Sequence, residues 1–418
     1  MKTLSDRLID FKSLIILLLF VFVVVSFTFT PITYFPLFNR EFIGYAIGVI
    51  ASVFGAWRFV NDKRFVCVIS YAIILLFNYY FEPHVNLGNI LSESFTLICV
   101  AFMTYFVFSN KSKLYNVIII YFYLFILLFY TVQSFRLNQG FSGIMRYAAM
   151  PSHRSEAAAF FARGLSPYDF PHALTCIIPV FVFGIRNRSL EKWKRIVALV
   201  CLSLSIVLIY ISQASGALLV GIFALLCSLL AKTGPVNQSI RKIIVVSILM
   251  FPLLVSTDLQ LGVISWAKNG VGTSSHYYFK LEELEGSIKG TDDEGDISYR
   301  GDLLVSTLES IGRHPIMGSK EDDYGHHNAW LDRWAEYGFI GLLPILVFFF
   351  LQIKAVKRFI VEDIRIFYYI GASSCFLMML TKSMFGWHQW FAFSIMLPLL
   401  LIFFNTQNNN SISDELIS

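Results

Sequence analysis

The sequence predicts an all-α integral membrane protein of about 12 transmembrane helices, with a large extracytoplasmic loop before the last three. Three observations predict it. Of the 418 residues, 56% are hydrophobic and only 15% are charged, against about 25% charged in an ordinary soluble domain. The mean hydropathy is +0.65. The apolar residues also gather into runs of the roughly 17 to 25 that a spanning helix requires.

Those runs lie near 14–30, 42–57, 65–81, 90–108, 114–132, 171–185, 196–212, 215–231, 243–260, 338–353, 366–381 and 389–404. The division of 196–231 into two spans rests on the short polar break Ser212-Gln213-Ala214-Ser215-Gly216. The first run has no small-residue cleavage site after it and reads as a retained helix. Residues 1–418 thus form a single polytopic domain. A basic extracytoplasmic loop at 134–170 and a large one at 257–337 interrupt it.

Basic residues orient the chain. With the N-terminus cytoplasmic, 20 of the 33 Lys and Arg fall on cytoplasmic loops, including Lys2, Arg7 and Lys12, the cluster Arg186 to Arg195, and Lys354, Lys357, Arg358 and Arg365. Seven of the other 13 lie in 257–337, which is too long to weigh in the positive-inside rule. Both termini are therefore expected in the cytoplasm. The net charge of +5 reflects this topology and predicts no nucleic-acid partner.

Several chemistries lack their signatures. Cys67, Cys99, Cys176, Cys201, Cys227 and Cys375 sit in or beside apolar runs without metal-ligand spacing, as small packing residues do. No GxxxxGK[ST] loop occurs, and no GxGxxG follows a strand pattern. The acidic run from Glu282 to Asp296 lacks EF-hand spacing and reads as a solvated face or loop. No metal and no cofactor is expected. The energy for any reaction must arrive stored in the substrate.

The chemistry that remains lies in the two outer loops. The first carries Arg136, Arg146, Arg154 and Arg163 against Glu156 and Asp169, a basic surplus that runs against the positive-inside trend. Two readings stand: contact with membrane-lipid headgroups, or recognition of a phosphorylated lipid-borne group by guanidinium forks. The second holds Arg300-Gly301-Asp302, a helix-like stretch from Leu303 to Leu308, and a turn at Gly312-Arg313-His314-Pro315-Ile316-Met317-Gly318. It ends on Tyr324-Gly325-His326-His327-Asn328-Ala329-Trp330 at the edge of an apolar span. Imidazole exchanges protons near neutral pH, so a His at that boundary points to an enzyme acting on something the bilayer presents. A lone interfacial His is by default structural, which is the reading for His84, His153, His276 and His388. Trp330, Trp334, Trp387 and Trp390 read as interfacial anchors before sugar platforms. Gly338 and Gly341 read as positions of a bend or close helix approach.

Taken in order, Arg300, Pro315-x-x-Gly318, His327-Asn328 and Tyr337-Gly338-x-x-Gly341 resemble the O-antigen polymerase and O-antigen ligase superfamily. Upstream, Arg163-Gly164 followed by Asp169-Phe170-Pro171-His172-Ala173 is similar to a family element, with His172 where an Asn is usual. Ser212-Gln213-Ala214-Ser215-Gly216 is similar to another, with Gly216 where an Arg often stands. The motifs cover about 160–345, and the topology covers the whole chain.

The resemblance implies a bacterial inner-membrane enzyme that transfers oligosaccharide from an undecaprenyl-pyrophosphate carrier, with a chain-length regulator as a partner. On this reading His327 is the general base, with His326 as the second candidate, and Asn328 positions an imidazole or a sugar hydroxyl. Arg300, Arg163, Arg146 and Tyr324 contact the substrate, the arginines at its phosphates. A polymerase that joins repeat units is favoured over a ligase that transfers polymer to lipid A core. A transporter is the rival from another class. It would place ionisable residues at the midplane, whereas these spans are nearly free of charge.

Overall fold

The structure is a computed structural model that describes residues 28–29, 61–81, 87–109, 113–150, 153–244, 256–273, 275–289, 296–319, 328–382 and 386–405. Within the described residues the regular structure is helical throughout, so the all-α expectation is met. Four helical stretches there are long and apolar enough to cross a membrane: Asn116–Gly140, Lys192–Ile211, Ala329–Lys357 and Glu362–Thr381. The expected span at 42–57, and most of those at 14–30 and 243–260, lie outside the described residues.

In chain order α1 spans Lys63–Phe81, α2 Leu87–Ser109 and α3 Lys113–Gly140, followed by short α4 (Ile144–Ala149) and α5 (Arg154–Ala162). Then come α6 (Asp169–Leu174), α7 (Ile178–Arg186), α8 (Lys192–Ile211) and α9 (Ser215–Leu230). Next come α10 (Thr257–Gly270), α11 (His276–Lys289) and α12 (Asp296–Arg313). The chain closes with α13 (Ala329–Lys357), α14 (Arg365–Thr381), α15 (Trp387–Phe391), a π-helical turn at Ala392–Met396, and α16 (Leu397–Phe403).

One expected span is broken. The run 171–185 divides at Thr175–Ile177, where the hydroxyl of Thr175 donates to the His172 carbonyl at 2.7 Å. Pro179, which has no N–H to give, opens the second half. The polar break after α8 does separate two helices. Gln213 takes a left-handed φ of 55°, and Ser212 accepts from the Ala214 N–H at 3.3 Å.

Further readings change. The helix expected at 338 starts at Ala329, so Trp330, Arg333 and Glu336 belong to it. The large loop is built mainly from three helices, and its acidic run is helical as far as Lys289. Trp330, Trp387 and Trp390 are at most 7% exposed, so they are packing residues in place of interfacial anchors. Trp390 meets Phe348 with ring centroids 5.3 Å apart, and Trp330 stacks on Phe376 at 5.1 Å. Tyr71, Tyr123, Tyr130 and Tyr368 are fully buried too, so tyrosines also fill the core. On α8, Ile196, Leu199, Val200, Val207 and Tyr210 form an exposed apolar stripe at helical spacing. All six cysteines are free, and five of them are buried.

Candidate functional site

The site grows from two helix ends and one helix face. On α12 the sequence places Arg300, Leu303, Leu304 and Thr307 at helical positions i, i+3, i+4 and i+7, so they share one side. That side faces the start of α13 and the end of α14. Arg300, Leu303, Leu304, Thr307, Asn328, Leu380 and Thr381 line one pocket of about 140 Å3. Two residues singled out in the sequence, Arg300 and Asn328, are thereby brought together.

Asn328 is the N-cap of α13. Its Oδ1 accepts from the Leu331 N–H at 3.1 Å, while the carboxylate of buried Asp332 accepts from the Asn328 N–H at 2.9 Å. This reciprocal arrangement satisfies donors that a helix start leaves open. With the amide oxygen held by the cap, the Nδ2 end is what Asn328 has to offer a ligand. The carbonyl of Lys382, just past α14, accepts from the Ala329 N–H at 3.2 Å. The two helix ends that line the pocket are thus tied together by backbone.

A second tie sets the position of α12. At Gly338, φ 65° and ψ −175° interrupt α13. The released N–H groups of Phe339 and Ile340 donate to the carbonyls of Pro315 and Ile316, at 2.9 and 3.3 Å. The Ser319 N–H donates to the Ala335 carbonyl at 2.8 Å, and the Trp334 indole N–H to the Pro315 carbonyl at 2.9 Å. The backbones touch so closely that a Cβ on Gly338 would fall 2.0 Å from the Ile316 oxygen. On Gly318, itself at φ 76°, a Cβ would fall 2.5 Å from the Glu336 oxygen. The Pro315-x-x-Gly318 and Tyr337-Gly338-x-x-Gly341 elements are therefore two halves of one junction. Neither carries chemistry; together they hold the face of α12 against the start of α13.

The remaining predicted residues lie elsewhere. Arg146 on α4 donates through Nη1 to the His276 ring at the start of α11, 3.0 Å from Nδ1 and closer still to Nε2. It ties α4 to α11 and does not line the pocket. Arg163, the exposed C-cap of α5, is not part of the lining either. His153 stacks on Tyr147 at 3.9 Å, and His388 meets Phe170 edge-on at 5.6 Å, so both are packing residues. Tyr147 donates to Glu156, which raises its phenol above the ordinary range. His84, Tyr324, His326 and His327 lie outside the described residues.

Thr307 and Thr381 are lining residues that sequence reasoning missed. The signal for Thr307 was present, seven positions after Arg300 on an amphipathic helix. Nothing local marks Thr381, which reaches the pocket only because α14 ends beside α13. In the described residues no three His, Cys, Asp or Glu side chains converge as metal ligands do.

No protein-family model matches this sequence, and no curated protein matches it either.

Proposed function

We propose that this protein is a polymerase that joins oligosaccharide repeat units carried on undecaprenyl pyrophosphate into a surface polysaccharide. It works on the periplasmic side of the bacterial inner membrane, as a 12-span protein with both termini cytoplasmic. One observation carries the reading. Arg300 and Asn328 line one pocket where an outer-loop helix meets the start of a long apolar helix, and His327 is joined to Asn328 by a single peptide bond.

The chemistry follows from those groups. An acceptor sugar hydroxyl attacks the anomeric carbon of the donor, forming a C–O bond as the bond to the pyrophosphate oxygen breaks. The pyrophosphate leaves with the electron pair, and its growing charge is met by Arg300, whose planar fork suits phosphate oxygens. The hydroxyl proton passes to the His327 imidazole, with His326 as the alternative base. The Asn328 amide N–H groups orient a sugar hydroxyl at the pocket mouth, and the ring of Tyr324 supplies a surface against the sugar. Arg163 and Arg146, which lie outside the pocket lining, contact the carrier phosphates beyond it in this reading. A diphosphate is already a good leaving group, so arginines suffice here without a metal. The chain-length regulator and membrane lipids are the other partners.

The test is the surface polysaccharide ladder of a strain lacking this protein, complemented with wild type or with His327→Ala. A single repeat on the lipid core in the deletion, restored to a ladder by wild type alone, is the expected outcome. Bare core with polymer held on the carrier would instead mark a ligase acting on lipid A core. An unchanged ladder would overturn the enzymatic reading. Passage of a lipid-linked sugar across the bilayer has one observation in its favour, the broken helix at Thr175–Ile177. A deletion that traps lipid-linked repeats on the cytoplasmic leaflet would support it.

A further inference from the structure

The turn between α12 and α13 holds two large apolar side chains away from the rest of the protein. Ile316 is 61% exposed and Met317 62%. Turn residues at a water-facing surface are usually small or polar, so this tip does not suit water. It is also rigid. The Gly318 N–H donates to the His314 carbonyl at 3.0 Å, and the Ile316 carbonyl accepts from the Ile340 N–H at 3.3 Å. A Cβ on Gly338 would stand 2.5 Å from the Met317 nitrogen, so the turn lies backbone to backbone on α13. The tip cannot swing inwards without breaking that junction.

The tip continues a surface suited to lipid. After Gly338, α13 buries Leu342, Ile345, Phe348 and Phe349 on one side. Phe339, Ile340, Leu343, Val347 and Phe350 are exposed on the opposite side, within about 100° of the helix circumference. This helix is long and apolar enough to cross a membrane, so its exposed stripe is where lipid chains belong. The N–H groups of Phe339 and Ile340 are the ones that hold Pro315 and Ile316. Tip and stripe are therefore one continuous apolar surface.

Polar and amphipathic groups mark where that surface ends. Arg313 and His314, just before the tip, are exposed, and Arg313 pairs with Glu309 at 3.2 Å. Half-buried Trp334 donates its indole N–H to the Pro315 carbonyl at 2.9 Å, and its ring centroid lies 6.2 Å from that of Phe339. An indole with one polar edge and an apolar body suits the membrane–water boundary. Of the four tryptophans read as anchors, Trp334 keeps that setting.

We propose that the Pro315–Gly318 turn dips into the bilayer surface, with Ile316 and Met317 among lipid chains beside Phe339 and Ile340. The partner is membrane lipid, met through its apolar chains. The turn follows α12 directly and is bonded to α13 beside Gly338. Its insertion therefore sets the depth at which the pocket-lining face of α12 sits. The assignment holds whatever the pocket binds.

The experiment is spin-label accessibility in the full-length protein in phosphatidylcholine nanodiscs. A nitroxide is attached at Met317→Cys in a Cys67→Ser background, the other five cysteines being buried. Gly312→Cys, at a position with open space around it, is the reference on the polar side of the turn. Val347→Cys is the reference within the apolar stripe. The label at Met317→Cys is expected to meet molecular oxygen more readily than a water-soluble nickel chelate, with a ratio between those of the two references. Ile316→Cys should give the same result from a second position. Ratios at both positions equal to that of Gly312→Cys would put the tip in water and overturn the proposal. Low access to both reagents would overturn it too, because protein would then cover the tip. Dipolar broadening between labels would identify that cover as a second copy of the chain.

Discussion

The guanidinium of Arg333 meets the carboxylate of Glu93 at 2.6 Å, across 240 positions of sequence, and binds α13 to α2. Glu93 also accepts from the Tyr71 hydroxyl of α1 at 2.7 Å, and Arg333 donates to Glu336 at 2.6 Å. The guanidinium lies over the Tyr337 ring, 5.6 Å from its centroid. Three apolar helices thus share one ionic cluster, and the expectation of spans nearly free of charge does not hold here. The cluster lies immediately before the Gly338 break, on the turns of α13 that lead from the pocket.

Removing Arg333 would leave Glu93, only 14% exposed, without its cation. Arg333→Ala is predicted to destabilise the protein by about 3 kcal/mol, the low end for buried pairs because Arg333 keeps some exposed surface. The double change Arg333→Met with Glu93→Leu should recover much of that loss. Thermal unfolding in detergent across the double-mutant cycle measures it. Additive effects of the two single changes would show that the pair is not coupled.

Gly338→Ala should be among the most damaging single-methyl changes in the chain. A left-handed φ costs an alanine about 1–2 kcal/mol, and the overlap with the Ile316 carbonyl adds to it. The expected sum is about 3 kcal/mol or more. The 314–319 turn should then be cut faster by protease than in wild type. A variant with wild-type melting temperature and protease resistance would show that the junction yields easily.

Asn328 combines a helix cap with a place in the pocket, and substitutions separate the two. Asn328→Ala should lose about 1 kcal/mol of stability together with polymer synthesis. Asn328→Asp keeps the capping oxygen and should keep the stability, while the missing amide N–H still lowers synthesis. Full synthesis by Asn328→Asp would reduce this residue to its cap.

Arg300→Lys retains charge and loses the fork, so polymer synthesis should fall by about tenfold or more. Rates equal to wild type would remove Arg300 from the phosphate contacts. Activity should also survive EDTA. Loss in EDTA that one divalent ion restores would require a metal in the reaction.

Helices α10 and α11 carry a pH-dependent link. Glu285 pairs with Lys289 at 2.5 Å and Lys268 at 2.9 Å, and these ammonium groups hold its carboxyl down at about 2, below the ordinary 4.5. Because the folded value is depressed, this contribution is complete above about pH 4.5 and is lost as pH falls towards 2. Hydrogen exchange over 257–289 should hold steady from neutral pH to that point, then rise after intrinsic-rate correction. Glu285→Gln should flatten the profile, and an unchanged profile would rule out the pair as the cause.

The helices at 63–81, 87–109, 192–211 and 365–381 follow from runs of apolar residues, because removal from water is decided segment by segment. The turn at 314–318 follows from Pro315 and Gly318 in the same local way. Arg300 and Asn328 could be singled out as unusual polar residues at the edge of apolar runs. Their meeting in one pocket could not, since it depends on the backbone junction between Ile316 and Gly338. The early start of α13 was hidden because Arg333 and Glu336 look like loop residues until Glu93 is found beside them. Likewise, Trp330 and Trp390 look interfacial until Phe376 and Phe348 are seen to cover them. Hydropathy is a property of each residue with its neighbours along the chain. Charge pairing and backbone contact at glycines are properties of residues far apart in sequence. Composition alone thus determined that this chain forms apolar helices. Tertiary packing decided which of its few charges share a site, because a buried charge is stable only where a distant partner meets it.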